Sequence, residues 1–359
     1  MLPALTLVAL LSSAPADPPA SPGPTPVKLK IGGTLQPELN LFPSAGDDSR
    51  RQGFQFRRLR TNLSASWGVF SFKLVPEFAG SRVRGQDVFL DVALQKDDCG
   101  SLVLRVGKDK PPISIDLLQS STNIPLLERG PTAQLVADRD IGVQLLLKRG
   151  ILEATVMLAN GTPDVSNADA PTGDFEVFAS AGVTLGPIQL SAAGSYGMAE
   201  GEELIPGYRS SGRTTLFEEE DPGRLADTRW RVGGALRATA GPMLLWVEAV
   251  QSEHLVSIGA WQAGASLLIG KADNAWNKYD EPGDVELAVR AGQLGTFLFG
   301  GGESPRGYTS AAFAASWTID EHIKLMAGYD LTLWSGALSG REDEHMVGLR
   351  LQMVVLESL

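Results

Sequence analysis

The side chains with the most chemistry to offer in this sequence are its arginines. Several stand two residues apart: Arg58 and Arg60, then Arg229 and Arg231, with Arg237 on the same parity. A guanidinium is always charged and presents a planar fork of donors, which suits a carboxylate or phosphate better than any step that moves a proton. Lys108 and Lys110 repeat the spacing just before Pro111-Pro112. Residues that carry covalent or metal chemistry are sparse. His254, His322 and His345 are scattered without a ligand spacing, and Cys99 has neither a second cysteine nor a neighbouring histidine. Gly300-Gly301-Gly302 lacks the Lys-Ser/Thr of a phosphate-binding loop. The sequence therefore assigns no catalytic residue, no metal and no cofactor, and the expectation is a protein that is not an enzyme and handles anions without a covalent step.

The elements that position these residues follow from composition and period. The chain has 359 residues, 43% hydrophobic and 20% charged, enough apolar material to exclude wholesale disorder. Its net charge of −11 disfavours a nucleic-acid partner, which needs a basic face. Leu5 to Leu11 form a short apolar run before Ala14-Pro15-Ala16, so residues 1–16 read as a secretory signal peptide, although no basic residue precedes the run. Residues 17–26 read as a proline-rich spacer. Beyond them no apolar run approaches the ~20 residues of a membrane helix.

The dominant period is two. Leu29, Ile31, Leu35, Leu39 and Leu41 alternate with Lys28, Lys30, Gln36, Glu38 and Asn40, which sends apolar and polar residues to opposite faces of a strand. Counting such runs predicts about sixteen strands between residues 27 and 356. Tight connections at Gly68, Gly150, Gly186, Gly241 and Ile319-Asp320 alternate with long ones at 42–53, 108–139, 160–173, 198–226, 294–305 and 333–341. Only 271–283 is long where a short turn is due. Residues 113–128 have room for a short helix. Trp67, Tyr196, Trp230, Trp317 and Tyr329 fall on the apolar face near strand ends, as an interfacial girdle does. These features predict an all-β fold, a transmembrane antiparallel β-barrel with its polar face around an aqueous lumen. A soluble β-sandwich is the competing reading.

On strand parity the lumen receives Lys28, Lys30, Arg58, Arg60, Lys73, Arg105, Arg229, Arg231, Arg237, Arg290, Lys324 and Arg350. Opposing them are Glu38, Glu77, Asp87, Asp91, Glu153, Glu176, Glu248, Asp284, Glu286 and Asp330. The wall is thus close to balanced, and much of the negative total sits in segment 198–226. Exposed loop charges are screened within about 8–10 Å, so the lining matters more than the total. One reading makes Arg58, Arg60, Arg229, Arg231 and Arg237 a column that passes an anion from site to site. The other has the arginines pair with Glu77, Asp87 and Asp91 and brace the wall.

Phe56-Arg57-Arg58-Leu59-Arg60, Phe72 to Gly80, Asp87 to Asp91, and above all Leu104 to Pro112 resemble the phosphate-selective porin O and P family. Leu126 to Arg129, Arg139 to Gln144, Asn160-Gly161 and Gly348 to Gln352 extend the likeness. The resemblance implies a bacterial outer-membrane porin of about sixteen strands, assembled as a homotrimer in outer-membrane lipid. Segment 108–139 would fold inward as its constriction loop, and small anionic solutes such as phosphate would pass by diffusion. Lys108, Lys110, Arg129 and Arg139, in or beside that loop, join Arg58, Arg60, Lys73, Arg105, Arg229, Arg231 and Arg237 as the expected pore-lining, anion-selective set. The alternative is a plugged barrel with a structural or surface-interaction role, which the acidic segment 198–226 favours.

Overall fold

The computed structural model describes residues 26–42, 52–136, 139–161, 175–198, 228–254, 256–270, 281–296, 306–336, 338–339 and 341–358. The expected signal peptide, nearly all of the spacer, the acidic segment and most of 271–283 lie outside the described residues.

Sixteen strands succeed one another: β1 (Lys28–Leu41), β2 (Gly53–Trp67), β3 (Phe70–Glu77), β4 (Arg84–Asp97), β5 (Gly100–Asp109), β6 (Asp140–Arg149), β7 (Leu152–Ala159) and β8 (Phe175–Leu185). They continue as β9 (Ile188–Met198), β10 (Thr228–Ala240), β11 (Met243–His254), β12 (Val256–Ile269), β13 (Val285–Gly295), β14 (Arg306–Asp320), β15 (Ile323–Gly336) and β16 (Glu344–Ser358). Each strand pairs antiparallel with its sequence neighbours, and β1 pairs with β16, so the sheet closes and leaves no edge. Closure is what lipid demands, since nothing there satisfies an open row of N–H and C=O groups. The tight connections at Gly68, Gly150, Gly186 and Gly241 hold their glycines at φ 56, 57, 57 and 57, the left-handed conformation that two-residue hairpins require.

The faces are inverted relative to a soluble sheet. In β1, Thr34, Gln36, Glu38 and Asn40 are buried while Leu29, Ile31 and Leu41 are exposed. Val143, Leu145 and Leu147 of β6 and Val156 and Leu158 of β7 continue the exposed apolar belt. Trp67, Tyr196, Trp317 and Tyr329 are exposed on the same outer surface, as a membrane girdle predicts. A soluble sandwich would hide these residues, so that reading falls.

The β1–β2 register is irregular at one point. It shifts between Gln36 and Pro37, whose partners are Arg58 and Phe56. Proline cannot donate to the ladder, so the partner strand bulges there. Arg57 is the extra residue, and its side chain turns inward with that of Arg58.

Between β5 and β6 the chain enters the barrel. It carries a single helical turn, α1 (Ile115–Leu118), shorter than the room available in 113–128, and a 3-10 turn, Pro131–Leu135.

Candidate functional site

The inward segment is held by its own apolar residues first. Ile113, Leu117, Ala133, Leu135 and Val136 pack with Met157, Phe178, Val250, Ile258, Leu294, Tyr308 and Trp334 in one buried cluster. Ile124 and Leu126 join Leu244, Trp246, Ala288 and Ala314, and Leu127 joins Met326 and Met346. The wall leaves room for it through glycines. A Cβ on Gly328 or Gly348 would lie 2.8 or 2.4 Å from Leu127 Cδ1, and on the segment itself a Cβ on Gly130 would collide with the Gln262 side chain of the wall.

Polar groups then fix its position. Glu248 of β11 is buried and accepts from Ile115 N at 2.7 Å, Thr132 Oγ1 at 2.7 Å and Gln262 Nε2 at 3.1 Å. Arg237 donates to Ile115 O at 3.0 Å, Arg231 to Leu135 O at 3.0 Å, and Arg290 to Glu128 O at 2.8 Å. Across the lumen Gln352 donates to Thr122 O at 3.0 Å, and Arg57 forms a two-point fork on the Glu128 carboxylate at 2.6 and 2.7 Å. The segment thus touches both sides of the barrel.

The expected site residues fall into three groups. Arg58 and Arg60 on β2 and Arg229, Arg231 and Arg237 on β10 stand eight strands apart in a ring of sixteen. They form two facing sets rather than one column, because strand number fixes position around the ring. Among the described residues, three of these five have carboxylate partners, and only Arg60 has one that the bracing reading named. Arg60 pairs with Glu77, and Arg229 and Arg231 with Glu176. Arg105 chelates Asp91 at 2.7 and 2.9 Å and also meets Asp109. Asp87 receives both Lys73 at 3.1 Å and Arg139 at 2.7 Å.

The two lysines part company. Lys110 donates to the carbonyls of Leu117 and Gln119 at 2.6 and 3.1 Å, so its ammonium caps the end of α1, where free carbonyls favour a cation. Arg129 likewise donates to Gln119 O at 2.7 Å. Lys108 pairs with Val88 and Ile141, on the parity of the exposed Val106 and opposite to Arg105 and Asp109. That register puts it on the outer parity, away from the lumen.

Burial separates the charges further. On β3 to β5 the wall is open to water: the side chain of Lys73 is 43% exposed, and the Arg105–Asp91 pair 20% and 19%. On β8 and β10 the Arg229–Glu176 pair is sealed, at 3% and 2%. The inward segment therefore packs on the β7–β16 side, reaches β2 through Glu128, and leaves the β3–β5 wall the more wetted.

Three participants were not legible as site residues. Arg57 is hidden by the alternation rule, and Pro37 in the facing strand is the signal for its bulge. Glu128 and Thr132 carried no pattern of their own. Burial raises the pKa of the Glu128 carboxyl, but the Arg57 guanidinium, with Arg350 and Arg58, outweighs that and holds it well below the usual carboxylate range.

Comparison with known proteins agrees with this geometry. The sequence model of the phosphate-selective porin O and P family matches residues 29–191. No curated protein matches the sequence. Among solved structures, the anion-selective porin from Comamonas acidovorans superposes with a TM-score of 0.64 at 12% identity, covering 92% of this chain and 100% of its own. Salmonella typhi OmpF in complex with daunomycin gives 0.63 at 9% identity, covering 92% and 98%. Vibrio cholerae OmpT gives 0.60 at 11% identity, covering 91% and 98%.

Proposed function

We propose that this chain, a bacterial outer-membrane barrel whose residues 29–191 carry the resemblance to the phosphate-selective porins, is a passive porin with a preference for small anions such as phosphate. The observation that carries the reading is the uneven seating of segment 108–139, with its apolar face on one side of the lumen and a wetted, charged wall at β3–β5 on the other. A water-filled path narrowed by an inward loop needs no energy input and no covalent step; selectivity comes from width and lining charge.

The anion preference rests on how charges pair. Around Glu128 three cations, Arg57, Arg58 and Arg350, meet two carboxylates, Glu128 and Glu38. At Asp87 two cations meet one carboxylate. Arg105, with Asp91 and Asp109, offsets one of these excesses. Arg58, Arg60, Lys73, Arg105, Arg129 and Arg139 are the selectivity residues of this reading, with Arg231 and Arg237 anchoring the loop, Arg229 bracing Glu176 beside them and Lys110 capping α1. The family's name, the anion-selective title of one structural neighbour and the trimer form of another, Vibrio cholerae OmpT folded in vitro, support the same choice and a homotrimer.

The loop's contacts on both walls favour a second reading, a plugged barrel with a structural role. Single-channel recording of refolded protein in planar bilayers under a potassium chloride gradient separates them. The porin reading expects discrete steps with a reversal potential on the chloride side. Steps on the potassium side refute the anion preference, and a silent, folded barrel refutes the porin.

A further inference from the structure

The Arg57–Glu128 contact has the geometry of a bound ligand. Glu128 is the one loop carboxylate, among the described residues, that reaches the β1–β2–β16 wall, and Arg57 grips it with two parallel hydrogen bonds at 2.6 and 2.7 Å. Arg350 adds a third contact at 3.4 Å. Arg58 lies behind them, 4% exposed, with Nη1 donating to Gln36 Oε1 at 2.7 Å. Its Nε has no hydrogen-bond partner among the described residues. A buried guanidinium with an unused donor beside two others is a place that pulls oxyanions, because the fork matches a carboxylate and desolvation strengthens each contact. The contact is also within reach of solvent: the Arg57 and Glu128 side chains are 22% and 15% exposed.

The backbone beneath Glu128 is fixed independently of its carboxylate. Arg290 holds the Glu128 carbonyl at 2.8 Å, and Leu127 is seated over Gly328 and Gly348. Rotation of one side chain therefore empties the cradle while the loop stays docked.

We infer that Arg57, Arg58 and Arg350 form a binding site for a small soluble carboxylate, occupied at rest by the chain's own Glu128, which swings aside when a solute carboxylate takes its place. Glu128 is then a tethered competitor: it weakens the site for solutes and keeps the passage from being blocked by anions bound too tightly. This deepens the anion reading of the wall and rests on it only for the route by which solute arrives.

The test is equilibrium dialysis of radiolabelled succinate against the full chain refolded in detergent, with folding checked by heat-modifiable gel migration. Glu128→Gln keeps the shape and removes the charge, and binding is expected to tighten at least tenfold over the unaltered protein. Glu128→Ala carries the same expectation if the first variant does not refold. Adding Arg57→Gln to either variant is expected to remove the gain. Equal binding with and without Glu128, or a gain that survives loss of Arg57, overturns the site. Conductance of the unaltered protein in potassium chloride is read alongside. Channels without the succinate gain sink this inference and leave the porin, whereas the gain in a silent barrel sinks the porin and leaves the site.

Discussion

The two sides of the lumen use the same residue types for different ends. On β8 and β10, Glu176 and its two arginines are largely or wholly buried, beneath the apolar face of segment 108–139. On β3 to β5, Arg105 with Asp91 and Lys73 with Asp87 keep a fifth or more of at least one side chain in water. An arginine–carboxylate pair in a barrel therefore has no fixed meaning. Sealed, it is a brace whose loss strands a charge; wetted, it is a small stability term and a large contribution to the field a solute meets.

The most severe way to break that contrast is Glu176→Gln, which leaves Arg229 and Arg231 buried against a neutral partner. It is expected to cost about 3–5 kcal/mol, read as a drop in the urea midpoint of the folded barrel. Next is Glu248→Leu, which orphans Ile115 N, Thr132 Oγ1 and the Gln262 amide. At about 1–3 kcal/mol for each buried donor left unpaired, the loop is expected to loosen, with larger unitary conductance and faster proteolysis within 113–136.

Acid sharpens the contrast from the loop side. Glu128 has a folded pKa below its unfolded one, so its pairing with Arg57 is full above the unfolded carboxylate pKa of about 4.3 and fades as pH falls through the folded value. Conductance is expected to hold steady from pH 7 to about 4.5 and to change only in stronger acid. In Glu128→Gln that acid step is expected to disappear from the same titration. The mildest change is Asp91→Asn on the wetted side, expected to move the urea midpoint by the equivalent of about 1 kcal/mol or less. The same variant is expected to shift the reversal potential further toward chloride. Equal destabilisation by Asp91→Asn and Glu176→Gln would dissolve the distinction between the two sides.

How legible all this was depends on range. The sixteen strands were readable because each writes its own period of two, and the tight turns because glycine marks them. The inward path of 108–139 was implied by resemblance, but its seating was not, since Leu127 over Gly328 and Gly348 is a contact between residues about two hundred positions apart. Lys108 and Lys110 looked equivalent in sequence; strand register places the first on the outer face, and one short helix claims the second. Arg57 was left out of the lumen set for a simpler reason: strict alternation fails at a bulge, and Pro37 announces that bulge from the neighbouring strand.

The seam of the cylinder carries a last consequence. Where β1 meets β16, Gln36 donates to Gln352 at 2.6 Å and Arg350 grips Glu38, all inside the wall. Glu128 then bridges Arg57 of β2 to Arg350 of β16 across the same junction. Contacts spanning more than three hundred residues form only after both ends of the chain have arrived, so the interior lock is a late event of assembly. Until it forms, Glu38 and Arg350 face the barrel's interior without each other. Folding intermediates should therefore tolerate loss of either residue far better than the finished cylinder does, and the seam, not the hairpins, is where a half-built barrel reopens.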